Sequence, residues 1–299
     1  MSPISKKTLF VLLVPICPIL CLCFCWFQKP VPAYATIVPT GIPYDLENPS
    51  VSINLASEDL REISALSPTD EPGIFLTIAD ERGEFFFIDE TNGGAITHRV
   101  LFRDKGDFEG AEMVEEHLWA LKSDGKLFEI GDWKSSTPVV HEFDTPLSKK
   151  DDVEGLGYDA KKHALLLACK GDSDSAYLRN IYAFDLRTKK LEEKPMYSID
   201  PNEVNRLVPY GETEKHDYFS PSGIAINPNT YQVYVISAAL KRLLVLDKDN
   251  GRILFAVRLD KKLFPQPEGI AFDRDGNLQI SSEGKKGEGR LLVFNYKKN

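Results

Sequence analysis

The sequence predicts an all-β fold, a five-bladed β-propeller whose last blade is closed by a strand from the N-terminal side. After residue 60, helix signals are nearly absent and short β-rich runs alternate with turn residues. A similar segment recurs five times, at intervals of 47, 45, 68 and 46 residues. The last repeat ends after three strands, and the alternating segment "VSINL" (51–55) can supply the fourth and remove a free sheet edge.

Each repeat contains the same succession of strands. An opening strand is followed by a turn, a strongly apolar second strand and a third strand, which ends in Asp or Asn in four of the five repeats. Four strands in about 40 to 50 residues are typical of one propeller blade. The long interval holds an insertion around residues 200–219. The opening strands begin at Glu62 ("EISAL"), Glu109 ("EGAEM"), Glu154 ("EGLGY"), Ser222 ("SGIAI") and Glu268 ("EGIAF").

The N-terminal residues 1–35 are predicted to be a signal peptide or a membrane anchor. Two lysines precede the apolar run from Leu9 to Phe27, which is just long enough to span a bilayer. "AYA" at 33–35 also fits the small-x-small rule for signal peptidase, so cleavage after Ala35 stays open. A lipoprotein is the third alternative, which is disfavoured because no cysteine here follows a good small-residue lipobox, and in all three cases the globular part is exported. Residues 36–50, with three prolines, predict a stiff spacer, and residues 51–299 form the propeller domain.

Charge excludes one class of partner. Beyond residue 35 the chain carries 33 basic and 45 acidic side chains, a net charge of −12. Such a surface repels nucleic-acid phosphates and suits cations or basic partners. Cys169 is the one cysteine outside the first 35 residues, so we expect no disulfide within the propeller.

The opening residue of each repeat is the candidate functional position. The first strand of every blade lines the central channel, so equivalent residues of the five blades approach one another around the axis. Four carboxylates there need protons or a cation, and carboxylate oxygens suit Ca²⁺ before Mg²⁺. Two further acids lie two residues ahead of their glutamates and could add ligands at one rim. The predicted metal ligands are Glu62, Glu109, Glu154, Glu268, Ser222, Asp107 and Asp152.

A purely structural interpretation of the same acids stays open. Repeated acids can cap strand ends by accepting backbone N–H bonds within and between blades. The glycine that follows four of the five opening residues can allow close backbone approach near the crowded axis. Asp80, Lys170 and Glu283, at the ends of second strands, could reach the same channel mouth.

The ordered set of segments resembles one family. "DFEGAEMVEEHLWAL", "DVEGLGYDAKKHALLLACKG", "SPSGIAINPNTYQVYVISAALKRLLVLD" and "QPEGIAFDRDGNLQISSEG" are similar to the SdiA-regulated (YjiK-type) family, which includes calcium-regulated β-propeller proteins of Gram-negative bacteria. The resemblance covers about residues 50–299. It implies a propeller that faces the periplasm, commonly tethered to the inner membrane, with a link to calcium.

Taken together, these features predict that the channel binds a divalent cation, with calcium preferred, or a small ligand, in a binding or sensing role. The first alternative is a metal-dependent hydrolase of the lactonase or phosphoesterase kind, in which a channel metal polarises the substrate. Lys170 is the one basic side chain expected near the channel mouth, which disfavours polyanionic substrates. The second alternative is an envelope scaffold that docks a protein partner on one face of the propeller.

Overall fold

The computed structural model of the chain describes residues 41–171, 177–211, 217–284 and 287–297. The chain divides into residues 1–36 and a compact unit that spans residues 37–299. The predicted signal peptide or anchor at 1–35 lies outside the described residues. Within the described ranges, no helix has the length and apolar character needed to cross a membrane.

Five antiparallel sheets form the compact unit, and they confirm the predicted five-bladed propeller. The strands of blades 1 and 2 are β2 (Ser67–Pro68), β3 (Ile74–Ile78), β4 (Gly83–Asp89), β5 (Ala95–Arg103), β6 (Phe108–Val114), β7 (His117–Lys122), β8 (Leu127–Gly131) and β9 (Val139–Phe143). Blade 3 contains β10 (Val153–Asp159), β11 (Ala164–Cys169), β12 (Arg179–Asp185), β13 (Lys190–Leu191) and β14 (Tyr197–Ile199). Blade 4 contains β15 (Gly223–Ile226), β16 (Val233–Ser237), β17 (Arg242–Leu246) and β18 (Ile253–Arg258). Blade 5 contains β19 (Pro267–Phe272), β20 (Leu278–Ser282), β21 (Gly289–Phe294) and β1 (Val51–Leu55).

The N-terminal strand closes the ring as predicted. β1 pairs antiparallel with β21, with Ile53 opposite Leu291. Just before β1, the amide of Ser50 donates to the carbonyl of Val293 at 2.7 Å. Because the first strand of the domain completes the last blade, the two ends of the propeller are joined by a hydrogen-bonded ladder.

Apolar interfaces between neighbouring blades hold the propeller together. The second strands are buried on both faces, which is why β11 and β16 read as continuous apolar runs rather than alternating ones. Each of five hydrophobic clusters draws its residues from two adjacent blades, including the pair formed by blades 5 and 1. Burial of this apolar surface is the main force that fixes the blades around the axis.

The described part of the predicted spacer, residues 41–50, packs against the propeller. Tyr44 is 5% exposed and contacts the rings of Tyr234 and Phe272. Its hydroxyl donates to the carbonyl of Gly276 at 2.7 Å and accepts from the amide of Asn227 at 2.6 Å. These contacts connect the segment ahead of β1 to blades 4 and 5.

The insertion between blades 3 and 4 contains the helix α1 (Pro201–Leu207). The side chain of Asp200 accepts a hydrogen bond from the amide of Asn202 and caps the helix, and Pro201 occupies the first turn. Val204 is fully buried, so the helix is anchored to the interface between blades 3 and 4. Two single-turn 3₁₀ helices cover Glu58–Leu60 and Glu90–Asn92.

Candidate functional site

Three of the repeated glutamates sit at β-bulges. The pairing of the first strand with the second shifts around Glu109, Glu154 and Glu268, each of which is skipped in the register. A bulge removes the residue from the ladder and redirects its side chain. All three side chains line one small cavity at the axis, which we call the axial cavity.

The glycines that follow four of the five opening residues are required by close packing between first strands. A Cβ atom on Gly223 would lie 2.4 Å from the carbonyl oxygen of Glu268 in the next blade. A Cβ on Gly269 would lie 2.8 Å from the carbonyl carbon of Ala65 in blade 1. Glycine is therefore present because the strand of the next blade occupies the space of a side chain.

Blade 1 presents Ser64 to the axial cavity, so the assignment of Glu62 to the ring is wrong. The amide of Ser64 donates to Ile78 in the same way as the amide of Ser222 donates to Ile236. Ser64 lines the cavity, whereas Glu62 is exposed two residues earlier. The repeat pattern aligns Glu62 with the other ring glutamates. In the structure, however, the equivalent position of blade 1 lies two residues later, at Ser64. The ring therefore consists of Ser64, Glu109, Glu154, Ser222 and Glu268.

Ser222 joins two blades at the ring. Its hydroxyl donates to the carbonyl of Pro267 at 2.7 Å and accepts from the amide of Ala238 at 3.1 Å. The residue is 3% exposed, and its hydroxyl oxygen is already engaged in these two bonds. Ser222 therefore braces blades 4 and 5 in this structure, which is the role expected under the structural interpretation.

The carboxyl groups of the ring hold protons more tightly than ordinary glutamates. Burial, followed by the negative charge of Glu154, raises the pKa of Glu109 to about 8. Burial and the charge of Glu154 also raise the pKa of Glu268 well above its usual range. The pKa of Glu154 rises to about 7, because burial outweighs the opposing effect of Lys170. With a pKa of about 8, Glu109 is therefore mainly a neutral acid at neutral pH, and the raised pKa of Glu268 favours its protonated form in the same way.

Lys170 supplies a positive charge at the ring. It follows β11, and its ammonium forms an ion pair with Glu154 and lies 3.9 Å from a carboxylate oxygen of Asp152. Burial lowers the pKa of Lys170, but Glu154 and Asp152 outweigh that effect and raise it. The lysine therefore stays charged and neutralises one carboxylate of the axial cavity.

A second tier of acids surrounds the entrance, and we call it the acidic mouth: Glu62, Asp80, Asp107 and Asp152. The backbone of Asp80 accepts from Phe108 of blade 2 at 2.8 Å, so this tier also connects adjacent blades. One carboxyl oxygen of Asp80 is buried without a hydrogen-bond partner among the described residues. Burial and the charge of Glu62 raise the pKa of Asp80, and burial raises that of Asp152. Asp107 accepts a hydrogen bond from the hydroxyl of Ser123.

The axial cavity can accommodate a single ion. Its volume is about 10 Å³, close to the minimum that holds one water molecule. In the part of the chain that the structure describes, no three acidic, histidine or cysteine side chains already converge as a metal cluster. The three ring glutamates fit a hard cation as donors, on condition that protons and the Lys170 ammonium give way to it.

Sequence reasoning missed a buried carboxyl farther along the channel. Glu112 lies three residues after Glu109 and accepts a hydrogen bond from the hydroxyl of Ser67 of blade 1 at 2.7 Å. Burial raises the pKa of Glu112 to about 8, although bonds from Ser67 and from the backbone of Tyr158 oppose the shift. The equivalent positions hold Ser67, Gly157, Ala225 and Ala271, so a lone acid among small residues is the signal that could have revealed it.

The architecture and the repeated "EG" bulges agree with a comparison against known families. The model of the SdiA-regulated family matches residues 50–286. The chain belongs to the SdiA-regulated family. The match covers blades 1 to 4 and part of blade 5, and it confirms the resemblance found in the sequence. No curated protein sequence matches this SdiA-regulated propeller at a significant level.

Solved structures confirm the fold of this family member at low sequence identity. Glutaminyl cyclase of Myxococcus xanthus matches with a TM-score of 0.58 at 12% identity, covering 83% of this chain and 95% of that chain. The PQQ-bound aldose sugar dehydrogenase of Streptomyces coelicolor matches with a TM-score of 0.51 at 12% identity, covering 83% and 97%. A luciferin-regenerating enzyme matches with a TM-score of 0.50 at 10% identity, covering 83% and 95%. At these identities the likeness concerns the fold alone.

Proposed function

We propose that this SdiA-regulated propeller binds one divalent cation, calcium, in its axial cavity and acts as a binding or sensing protein. The observation that carries the proposal is the convergence of Glu109, Glu154 and Glu268 on a cavity the size of a single ion. In each of three blades, a β-bulge followed by a glycine brings a carboxyl group to the axial cavity. Strand capping alone would not require three acids to face one cavity.

The size of the axial cavity favours an ion over an organic ligand or a substrate. Pockets for small molecules usually measure about 300 to 1,000 Å³, whereas this cavity measures about 10 Å³. A hydrolase would also need room for a substrate beside its metal and a base positioned for catalysis. Lys170 is paired with Glu154, so it is not arranged as a clamp for an anionic substrate.

Calcium suits the irregular donor set better than magnesium. The ring has carboxyl groups at three of five positions and serines at the other two, and the Ser222 hydroxyl is already hydrogen-bonded, so the donor set is far from octahedral symmetry. Magnesium requires near-ideal octahedral geometry and gives up its waters reluctantly, while calcium accepts six to eight oxygens in flexible arrangements. The proposal therefore includes weaker binding of magnesium.

Lys170 provides a means to signal occupancy. A divalent cation bound to Glu154 would repel the ammonium that now pairs with this carboxylate. Asp152 of the acidic mouth, 3.9 Å from the ammonium, is the nearest alternative partner. Cation binding in the cavity would thereby change the charge distribution at the entrance, where a partner could detect it.

We also propose that the propeller is exported and faces the periplasm, held at the inner membrane or released after cleavage at Ala35. The apolar run behind two lysines in the first 35 residues supports export. Determining the first residue of the mature protein tests this proposal. Thr36 at the N-terminus would establish cleavage, an intact N-terminus in the membrane fraction would establish an anchor, and recovery of the protein from the cytoplasm would refute export.

Calorimetric titration of the full-length chain with CaCl₂ and MgCl₂ at pH 8.5 tests cation binding. We expect one calcium per chain, weaker magnesium binding and a higher melting temperature with calcium. The variant Glu109→Gln/Glu268→Gln keeps the size of both side chains and removes their ability to ionise. It should lose calcium binding and the rise in melting temperature.

Glu192→Gln is the matched control, because Glu192 is exposed in blade 3 and lies outside the ring. It should bind calcium like the unmodified chain. The proposal fails if millimolar calcium releases no heat and leaves the melting temperature unchanged. It also fails if the double variant binds calcium as well as Glu192→Gln does.

A further inference from the structure

A second and larger cavity lies between blades 1 and 2. It measures about 370 Å³, within the usual range of small-molecule sites. Ile74 and Met113 in its lining lie at the ends of β3 and β6 that are remote from the ring. The cavity therefore opens on the face opposite the acidic mouth, and we call it the interblade pocket.

Stacked aromatic rings form the apolar part of the interblade pocket. The rings of Phe87 and Trp133 lie 4.8 Å apart with an interplanar angle of 20°. His98 contacts both, with ring centroids 5.6 Å from Phe87 and 5.8 Å from Trp133. The indole N–H of Trp133 donates to the carbonyl of Glu116 at 3.1 Å, which fixes the plane of the ring. The pocket thus has a preorganised aromatic surface.

The charges of the pocket indicate the kind of ligand. Lys134 places its ammonium 4.9 Å from the centroid of Trp133, and no carboxylate among the described residues pairs with it. Asp70 and Glu71 also line this pocket. Arg274 contacts Asp70 at 3.1 Å in an exposed pair, so Glu71 remains the less neutralised acid. An ammonium group is therefore already accommodated on this indole, with negative charge nearby.

We propose that the interblade pocket binds a small organic cation, a primary or quaternary ammonium group attached to an aromatic or branched apolar body. The ammonium of the ligand takes the place of Lys134 over Trp133, and the side chain of Lys134 turns to solvent. Its apolar body packs against Ile74, Phe87 and Met113, and Glu71 supplies the countercharge. This site is separate from the axial cavity, and the inference does not depend on the proposed function.

Binding of benzyltrimethylammonium to the full-length chain tests the proposal, with benzoate and benzyl alcohol as anionic and neutral probes of similar size. Calorimetry and tryptophan fluorescence give the dissociation constants. We expect the cation to bind about tenfold or more tightly than either other probe, the range expected of a cation–π contact with a nearby countercharge. Trp133→Leu should remove this preference, and Glu71→Gln should weaken it.

Tyr231→Leu is the matched control. Tyr231 also carries a lysine over its ring, Lys161 at 3.2 Å, but it lies outside the interblade pocket. It should bind the cation normally, as should Glu109→Gln/Glu268→Gln, which alters only the axial cavity. If Trp133→Leu does not fold, Glu71→Lys replaces it, because Glu71 is exposed and its charge reversal should abolish the preference. Equal binding of benzoate, or unchanged binding in Glu71→Lys, overturns the proposal.

Discussion

The ammonium of Lys170 forms an ion pair with the carboxylate of Glu154 beside the propeller axis. This pair completes a ring in which negative charge is reduced in three ways. Ser64 and Ser222 occupy two positions without charge, burial and neighbouring charge raise the pKa values of Glu109 and Glu268 and so favour their protonated forms, and Glu154 is paired. The negative charge of the ring is therefore reduced in this structure, and a cation must compete with a lysine as well as with protons.

Removal of the Lys170 charge should strengthen cation binding. In Lys170→Met, the ammonium no longer competes for Glu154, and we expect the affinity for calcium at pH 8.5 to rise about tenfold, equivalent to about 1.4 kcal/mol. Calorimetric titration measures the change. Lys122→Met is the control, since Lys122 ends the second strand of blade 2 and pairs with Asp124 outside the ring. Unchanged or weaker binding in Lys170→Met would contradict competition between the lysine and the cation.

Glu112 should make the folded protein less stable as pH rises. Its pKa is about 8 in the folded protein against an ordinary 4.5, so between these values the folded state holds a proton that the unfolded state has lost. The contribution of this proton to the free energy of unfolding is fully present below pH 4.5. It falls by up to about 1.4 kcal/mol per pH unit as pH rises toward 8. The amide oxygen in Glu112→Gln can still accept the hydrogen bond from Ser67. The free energy of unfolding of Glu112→Gln should therefore increase relative to that of the unmodified chain as pH rises.

Urea unfolding between pH 5 and pH 9 measures this effect as the difference between Glu112→Gln and the unmodified chain. Both proteins contain the same ring glutamates, so the effect of these groups on the pH dependence of stability cancels in the difference. Glu192→Gln, an exposed substitution, should show a constant difference at every pH. A constant difference for Glu112→Gln as well would mean that the buried carboxyl titrates near its ordinary pKa.

A methyl group at Gly223 should disturb the contact between blades 4 and 5. The new Cβ would lie 2.4 Å from the backbone oxygen of Glu268, which cannot move without shifting the bulge. We expect Gly223→Ala to lower the free energy of unfolding by about 1 to 3 kcal/mol, the usual cost of overpacking. Gly131→Ala is the control, because its Cβ would meet nothing closer than 3.5 Å. Chemical denaturation of the two variants should separate them, and equal stability would show that the strands can relax apart.

The blades could be predicted from the sequence because their signals are local and repeated. Buried second strands such as β16 read as apolar runs, and the missing fourth strand of blade 5 left "VSINL" as its obvious complement. The bulges are also visible in the sequence as repeated Glu-Gly pairs, because contact with the next blade requires a glycine after each ring glutamate. Repetition thus revealed both the architecture and four of the five ring positions.

The remaining features depend on register and on contacts between blades, which no single repeat encodes. Ser64 was missed because Glu62, two residues earlier, matches the repeated acid. The pairing of β2 with β3 sets the register of blade 1, and this pairing cannot be read from the repeat pattern. Lys170 was noticed as a strand end, but its ion pair with Glu154 depends on the direction of both side chains. The interblade pocket combines Trp133 with Phe87 from a different blade, so the sequence offers no motif for it.

Closure of the ring by β1 should make Leu55 a key residue for the stability of the whole propeller. Leu55 is fully buried where blade 5 meets blade 1, and its side chain packs with Leu60, Ile63 and Leu291. Leu55→Ala should lower the free energy of unfolding by about 2 to 5 kcal/mol, since it leaves a cavity at the joint between the two ends of the domain. Val51→Ala is the control within the same strand, because Val51 is 43% exposed and should cost little. Hydrogen exchange of the β21 amides gives a second measurement: if the two ends unfold together, protection should fall in both β1 and β21 of Leu55→Ala, whereas loss confined to β1 would show that the ring tolerates an open blade.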